Sequence, residues 1–165
     1  MQSMRHARSN FSIAVLGNKF HAIGGFDGSC EMTQCETYDP VLNDWKEMAD
    51  LNKSRRDHGV AVNSDRIFAV GGMSYLGILD CIEKYNSSLN MWLIIKHTLD
   101  PRTGCCVAVA STDSNEHSLF IVGGIDGSHC CHSSVKRLSL NTIDYRISSG
   151  RAMNEPRAYG GVAVL

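Results

Sequence analysis

Landmarks that return every 47 residues constrain this chain more than anything in its composition. Gly24 and Gly71, Tyr38 and Tyr85, Trp45 and Trp92, and Arg55 and Arg102 are each separated by 47 residues. Three glycine pairs, Gly24-Gly25, Gly71-Gly72 and Gly123-Gly124, each close a short apolar stretch: Phe20 to Ile23, Ile67 to Val70 and Leu119 to Val122. In the first two units the tyrosine stands 14 residues after the first glycine, the tryptophan 7 later and the arginine 10 beyond that. A period of this length with paired glycines and spaced aromatics specifies an all-β chain of repeated small sheets, the blades of a β-propeller. Such an architecture points to recognition more than to chemistry.

A second block repeats with the first. It reads Arg8-Ser-Asn-Phe-Ser-Ile-Ala-Val15, Arg55-Arg-Asp-His-Gly-Val-Ala-Val62, Arg102-Thr-Gly-Cys-Cys-Val-Ala-Val109 and Arg157-Ala-Tyr-Gly-Gly-Val-Ala-Val164. In all four copies the arginine stands 5 residues before the Ile/Val-Ala-Val strand. Together these motifs resemble the kelch repeat over essentially the whole chain. The resemblance implies a kelch β-propeller in part: three four-stranded blades plus the first strand of a fourth. The repeats run over about 5–50, 51–98 and 99–152, with the fourth begun at 153–165. The third departs from the pattern. Ser111 to Ser118 lengthens its first turn, which costs little. Leu138 takes the tyrosine slot, Tyr145 takes the tryptophan slot 7 later, and two further residues precede Arg157.

Each motif residue has a physical task. The strand before the glycines is apolar because neighbouring blades cover both its faces. The glycines permit close approach or positive φ. The Tyr and Trp fill the wedge between blades and keep a polar edge atom. Asp39-Pro40 forms a turn between the third and fourth strands. A buried arginine needs hydrogen-bond partners, and carbonyls of the adjoining blade are the expected ones. The structural set is therefore Gly24, Gly25, Tyr38, Trp45, Arg55, Gly71, Gly72, Tyr85, Trp92, Arg102, Gly123, Gly124 and Arg157.

The chain has 165 residues and a net charge of −1. It carries no basic stripe, so nucleic acid is not implied. No apolar run is long enough to suggest a membrane helix, so no membrane is implied. Propellers close with about 4–8 blades, so the chain reads as part of a longer protein, with ring closure by a second copy as the alternative. Met4 before Arg8 matches Met48 before Arg55 and Met153 before Arg157, as if the chain begins within a repeat array. The first ten residues lack the apolar core of a signal peptide. The seven cysteines are odd in number and irregularly spaced, which favours a reducing, cytoplasmic setting.

No cluster reads as catalytic, and neither a cofactor nor a metal is implied. His129-Cys130-Cys131-His132 would place adjacent ligands on opposite faces of a strand and lacks a second cysteine pair. It reads as a polar loop, with a reactive thiol as the alternative. Cys105-Cys106 suits strand filling. Asp57-His58 has no nucleophile placed by a motif.

Binding is expected where loops converge at one end of the blades. In kelch-like adaptor proteins two loop sets line that face, and the resemblance carries them onto this chain. The first contains Asn10, Phe11, Arg56, Asp57, His58 and Tyr159, with Thr103-Gly104-Cys105 in the third blade. The second contains Phe26, Asp27, Met73, Ser74, Tyr75, Ile125 and Asp126. The aromatics are anchors of the hot-spot type. The acidic bias suits a basic or aromatic target, with Arg56 and His58 as the opposing cations. Asp27-Gly28 and Asp126-Gly127 also serve simply as turn pairs. The Gly-Gly-Phe26-Asp27-Gly28 and Glu36-Thr-Tyr38-Asp-Pro40 forms resemble the kelch-like family. That family's propeller recruits a substrate protein segment, while BTB and BACK domains bind cullin-3 in a ubiquitin ligase. No BTB or BACK sequence is among these residues. The rival readings are an actin-binding scaffold, disfavoured by the missing basic patch because filaments are acidic, and more remotely a propeller enzyme.

Overall fold

The computed structural model describes residues 2–98, 100–111, 116–141 and 144–163. Blade I comprises β1 (Ser12–Leu16), β2 (Lys19–Ile23), β3 (Cys35–Asp39) and β4 (Asp44–Met48). Blade II comprises β5 (Gly59–Asn63), β6 (Arg66–Val70), a small hairpin of β7 (Met73–Ser74) and β8 (Gly77–Ile78), then β9 (Cys81–Asn86) and β10 (Met91–His97). Blade III comprises β11 (Cys106–Ser111), β12 (His117–Val122), β13 (Val135–Ser139) and β14 (Ile147–Ser149). Each blade is an antiparallel four-stranded meander in sequence order. Gly17 and Asn18, at φ +58° and +59°, form the tight turn between β1 and β2. The Asp39 carboxylate accepts the Val41 and Leu42 N–H groups and closes the turn after β3.

Two apolar layers join the blades. Ala14, Ile23, Cys35 and Met48 of blade I pack on Ile67, Tyr85 and Trp92 of blade II. Phe68, Val70 and Ile82 of blade II pack on Val107, Leu119 and Leu138 of blade III. The strand before the glycines is therefore covered on both faces only where a neighbour is present. On blade I, Phe20 is 42% exposed, whereas its counterpart Ile67 is fully buried.

The glycines stand where backbones meet. Gly71 has φ +61°, and a Cβ on it would lie 2.3 Å from the Arg102 carbonyl oxygen. Gly24 meets Arg55 and Gly123 meets Arg157 in the same way. The second glycine of each pair donates its N–H to that arginine's carbonyl: Gly25 to Arg55 (2.8 Å), Gly72 to Arg102 (2.7 Å) and Gly124 to Arg157 (2.8 Å). The blade-to-blade link thus uses the arginine's main chain. Its guanidinium, expected to reach the adjoining blade, instead binds the blade that follows it in sequence. Arg8 Nη1 donates to the Gly24 carbonyl (2.7 Å) and Nη2 to Glu36 (2.6 Å); Arg55 repeats this with Gly71 (2.7 Å) and Glu83 (2.6 Å). The carboxylate of Glu83 also accepts the Asn52 and Lys53 N–H groups, so the buried charges are paired and their lone pairs used. Arg157 is exposed.

Blade III solves the same problem with reversed charge. Lys136 pairs with Ile121 in the ladder as Glu36 pairs with Ala22 and Glu83 with Ala69. Arg102 therefore meets Ser134 Oγ (2.7 Å) and the Gly123 carbonyl (2.9 Å). Asp100 supplies the missing anion, 3.6 Å from Arg102 and 3.0 Å from Lys136.

Ladder register also corrects the third repeat. Leu138 occupies the tyrosine slot, opposite Leu119 as Tyr85 lies opposite Ile67. Its other partner is Ile147, just as Tyr85 pairs with Trp92, so Ile147 fills the tryptophan slot. Tyr145 sits in the preceding turn at φ +47°, where blades I and II place Asn43 (+51°) and Asn90 (+45°). The two extra residues thus belong to the turn between β13 and β14. A two-residue insertion there keeps every later side chain on its face. The tip of the lengthened first turn, residues 112–115, lies outside the described residues, as do Val164 and Leu165 of the expected fourth-blade strand. Val162 and Ala163 carry no strand; the Gly-Gly strand that would pair with them is not part of this sequence.

Candidate partner-binding face

One loop from each block comes to lie beside one loop from each glycine pair. Isolated bridges join Ser9 to Phe26, Arg56 to Met73 and Thr103 to Ile125. A second bridge turns each post-glycine loop back on itself: Phe26 with Glu31, Met73 with Ile78 in the β7–β8 hairpin, and Ile125 with Cys131. The two loop sets expected from sequence therefore share one end of the molecule.

A main-chain ladder runs across that end, one step per blade. The Asp57 N–H donates to the Asn10 carbonyl (2.9 Å), Gly104 to Asp57 (2.8 Å) and Tyr159 to Gly104 (2.8 Å). All four residues have positive φ: Asn10 +52°, Asp57 +53°, Gly104 +62° and Tyr159 +55°. Asn and Asp tolerate that region; an aromatic residue there is unusual and is held by its cross-blade bond. Asn10 Nδ2 adds a bond to Asp57 Oδ1 (2.7 Å).

Several expected contact residues spend their polar groups on each other. Arg56 donates to Glu31 (3.1 Å), Asp57 (3.2 Å) and Met73 Sδ (3.0 Å), and its guanidinium lies 5.6 Å from the Phe26 ring centre. Glu31, which the sequence reading missed, thus neutralises the one arginine expected to oppose the acids. Ser74 is buried; its hydroxyl donates to the Gly77 carbonyl and accepts the Leu76 N–H, closing the hairpin. Phe11 and Ile125 are half-buried. What the face presents outward is Tyr75 (79% exposed), Leu76 (72%), Tyr159 (61%), Asn10 and Asp27, with Asp126 half-exposed.

His58, expected as a cation on this face, is buried instead. Its ring packs towards Gly24, and its Cβ lies 2.7 Å from where a Gly72 Cβ would sit. Neither ring nitrogen meets a polar partner among the described residues. Burial, reinforced by the nearby Arg55 charge, pushes its pKa well below 6.5, so the imidazole is neutral. Asp57 and His58 form no dyad, because the carboxylate is turned to Arg56 and Asn10.

All seven cysteines are free. Burial raises the Cys35 thiol to about 12 and Cys105 to about 11, which keeps both protonated. The exposed Cys30 is also raised, by its hydrogen bond to Asp27. Neither the buried pair nor Cys30 is poised as a thiolate. In the His129–His132 segment, His132 Nε2 lies 3.0 Å from Asp126 Oδ2. Among the described residues no group of three or more His, Cys, Asp or Glu is placed to hold a metal.

The signals missed in sequence obey the same period. Glu36 and Glu83, and Asn43 and Asn90, are each 47 residues apart. Tyr38 and Tyr85 donate to the two asparagines (2.8 and 2.9 Å), and the rings of Trp45 and Trp92 lie tilted against those tyrosines, with centroids 5.1 and 5.2 Å apart.

Comparison with known proteins gives the same frame. Over 97% of its length the chain superposes on 60% of the solved chain "Structure of YjhT", with a TM-score of 0.79 and 14% identity, a likeness of fold. Kelch-like protein 7 of Rattus norvegicus is 34% identical over 96 residues, 58% of this chain and 16% of that protein. Kelch-like protein 23 of Homo sapiens is 30% identical over 124 residues, 73% of this chain and 21% of that protein. The chain thus spans about a fifth or less of the curated relatives it matches. The Kelch motif matches residues 7–52 and 54–96, the two repeats that keep the glutamate, tyrosine and tryptophan. With more than half its length so matched, the chain belongs to the Kelch motif family.

Proposed function

We propose that this chain is part of the substrate-recognition propeller of a kelch-like adaptor for a cullin-3 ubiquitin ligase. The observation that carries the reading is the end face: paired loops from successive blades, fixed by a cross-blade ladder, with Tyr75, Leu76 and Tyr159 left exposed. Exposed aromatics on a rigid frame are what protein interfaces use as anchors. In this reading the propeller does no chemistry. Its 165 residues are taken up by repeat units, so cullin-3 would be met through BTB and BACK regions outside them. A cytoplasmic location goes with that role, and seven free cysteines suit it.

The test uses the full-length protein in cells. Cullin-3 should co-precipitate with it, and a Tyr75→Ala/Tyr159→Ala variant should keep cullin-3 while losing the captured substrate and its ubiquitination. Absence of cullin-3 together with co-sedimentation on actin filaments would overturn the adaptor reading in favour of a scaffold.

A further inference from the structure

The three post-glycine loops occupy equivalent places but differ in chemistry. Blades I and III have Phe26-Asp27-Gly28-Ser29 and Ile125-Asp126-Gly127-Ser128; blade II has Met73-Ser74-Tyr75-Leu76. In the outer two, the aspartate closes its own turn. Asp27 Oδ1 accepts the Ser29 (2.7 Å) and Cys30 (2.8 Å) N–H groups, and Asp126 Oδ1 accepts those of Ser128 (2.8 Å) and Cys130 (3.0 Å). These bonds hold both carboxyls in place and below the usual carboxylate range, with His132 adding to the effect on Asp126. In the middle blade the acid-glycine turn is replaced by an apolar hairpin tip.

Beside that tip a cleft of about 340 Å³ opens between blades I and II, walled by Tyr75 and Leu76 and by Glu31, Thr33 and Lys53. Glu31 is committed to Arg56, and among the described residues Lys53 forms no ion pair. A basic side chain is disfavoured in the cleft, and an apolar one fits along Tyr75, Leu76 and the lysine stem. On either side, in blades I and III, stand Asp27, which lines a separate cleft with Arg5 and His6, and Asp126, 3.0 Å from His132 Nε2; these carboxylates are where a partner's basic groups would be drawn.

We propose that the arc Asp27, Tyr75–Leu76, Asp126 recognises a protein segment with an apolar anchor flanked on both sides by Lys or Arg. This rests on the end-face reading above and gives the substrate's chemistry. The apolar tip supplies affinity, and the two fixed anions supply orientation and rejection of acidic segments.

The test is fluorescence anisotropy of the full-length protein with short labelled peptides. One carries Leu-Phe between basic pairs, one the same dipeptide between glutamate pairs, and one Ser-Ser between basic pairs. The basic-flanked Leu-Phe peptide should bind at least ~10-fold more tightly than either control, and added salt should weaken it. Tyr75→Ser/Leu76→Ser should cost ~10-fold or more. Asp27→Asn/Asp126→Asn, which keeps the oxygens that close the turns, should flatten the salt dependence. Preference for the acid-flanked peptide, or binding indifferent to Tyr75→Ser/Leu76→Ser, overturns the assignment. Substrate capture in cells judges the adaptor role separately, so a binding face with the wrong charge preference is told apart from no binding face at all.

Discussion

Residue by residue, the interior is organised by a cation that must be satisfied in every blade. Arg55 and Glu83 are both fully buried and 2.6 Å apart, so removing one partner strands the other. Glu83→Ala should cost about 3–5 kcal/mol in denaturant unfolding. Asp100→Asn, at the 43%-exposed anion of blade III, should cost only about 0.5–1 kcal/mol. Equal losses would show that the reversed-charge arrangement is as tightly held as the original. His58 predicts a pH dependence. Its folded pKa lies below the ordinary 6.5, so below that pH the unfolded chain binds a proton that the folded chain refuses. Stability should therefore fall with acid by up to about 1.4 kcal/mol per pH unit beyond the carboxylate contributions. His58→Phe should remove that added slope between pH 6.5 and the onset of carboxylate titration; an unchanged slope would place the effect elsewhere.

At the scale of strands and turns, blade packing depends on main chains touching. Gly71→Val would drive a side chain into the Arg102 carbonyl, at a backbone conformation valine rarely adopts. Loss of soluble protein should follow, read by fractionation after expression. Trp92→Ala would empty part of the layer between blades I and II, at about 3–5 kcal/mol. Much of this was legible in sequence, because a residue that recurs at a fixed offset must solve a recurring packing problem. The glycines, Tyr38, Tyr85, Trp45 and Trp92 were found that way. What stayed hidden depends on pairing across the sheet. Spacing alone placed Tyr145 in the tryptophan slot, and only ladder register shows Ile147 there. Likewise nothing local to Arg56 shows that Glu31, 25 residues away, takes up its charge, or that Gly24 leaves room for a buried His58.

On the scale of the whole molecule, the three blades leave blade surfaces uncovered. Ile13, Val15 and Phe20 are 52%, 56% and 42% exposed, although their counterparts in blade II pack against blade I. Apolar faces of this kind drive association. The 165-residue chain should self-associate in sedimentation velocity, and Ile13→Thr/Val15→Thr/Phe20→Thr should shift it towards monomer. The division of roles that follows from the proposed function is sharper still: packing glycines between the blades hold the fold, and aromatics on the end face are assigned to a partner. Tyr159 is the direct probe, since its ring is exposed where it lies over Gly104 and the bond from its N–H to the Gly104 carbonyl survives truncation. The most direct measurement compares full-length wild type, Tyr159→Ala and Gly71→Val for soluble yield and for co-precipitated partner. Tyr159→Ala should match wild type in yield and lose partner, while Gly71→Val loses soluble protein. Equal loss of soluble protein in both variants, or full partner recovery with Tyr159→Ala, would contradict that division.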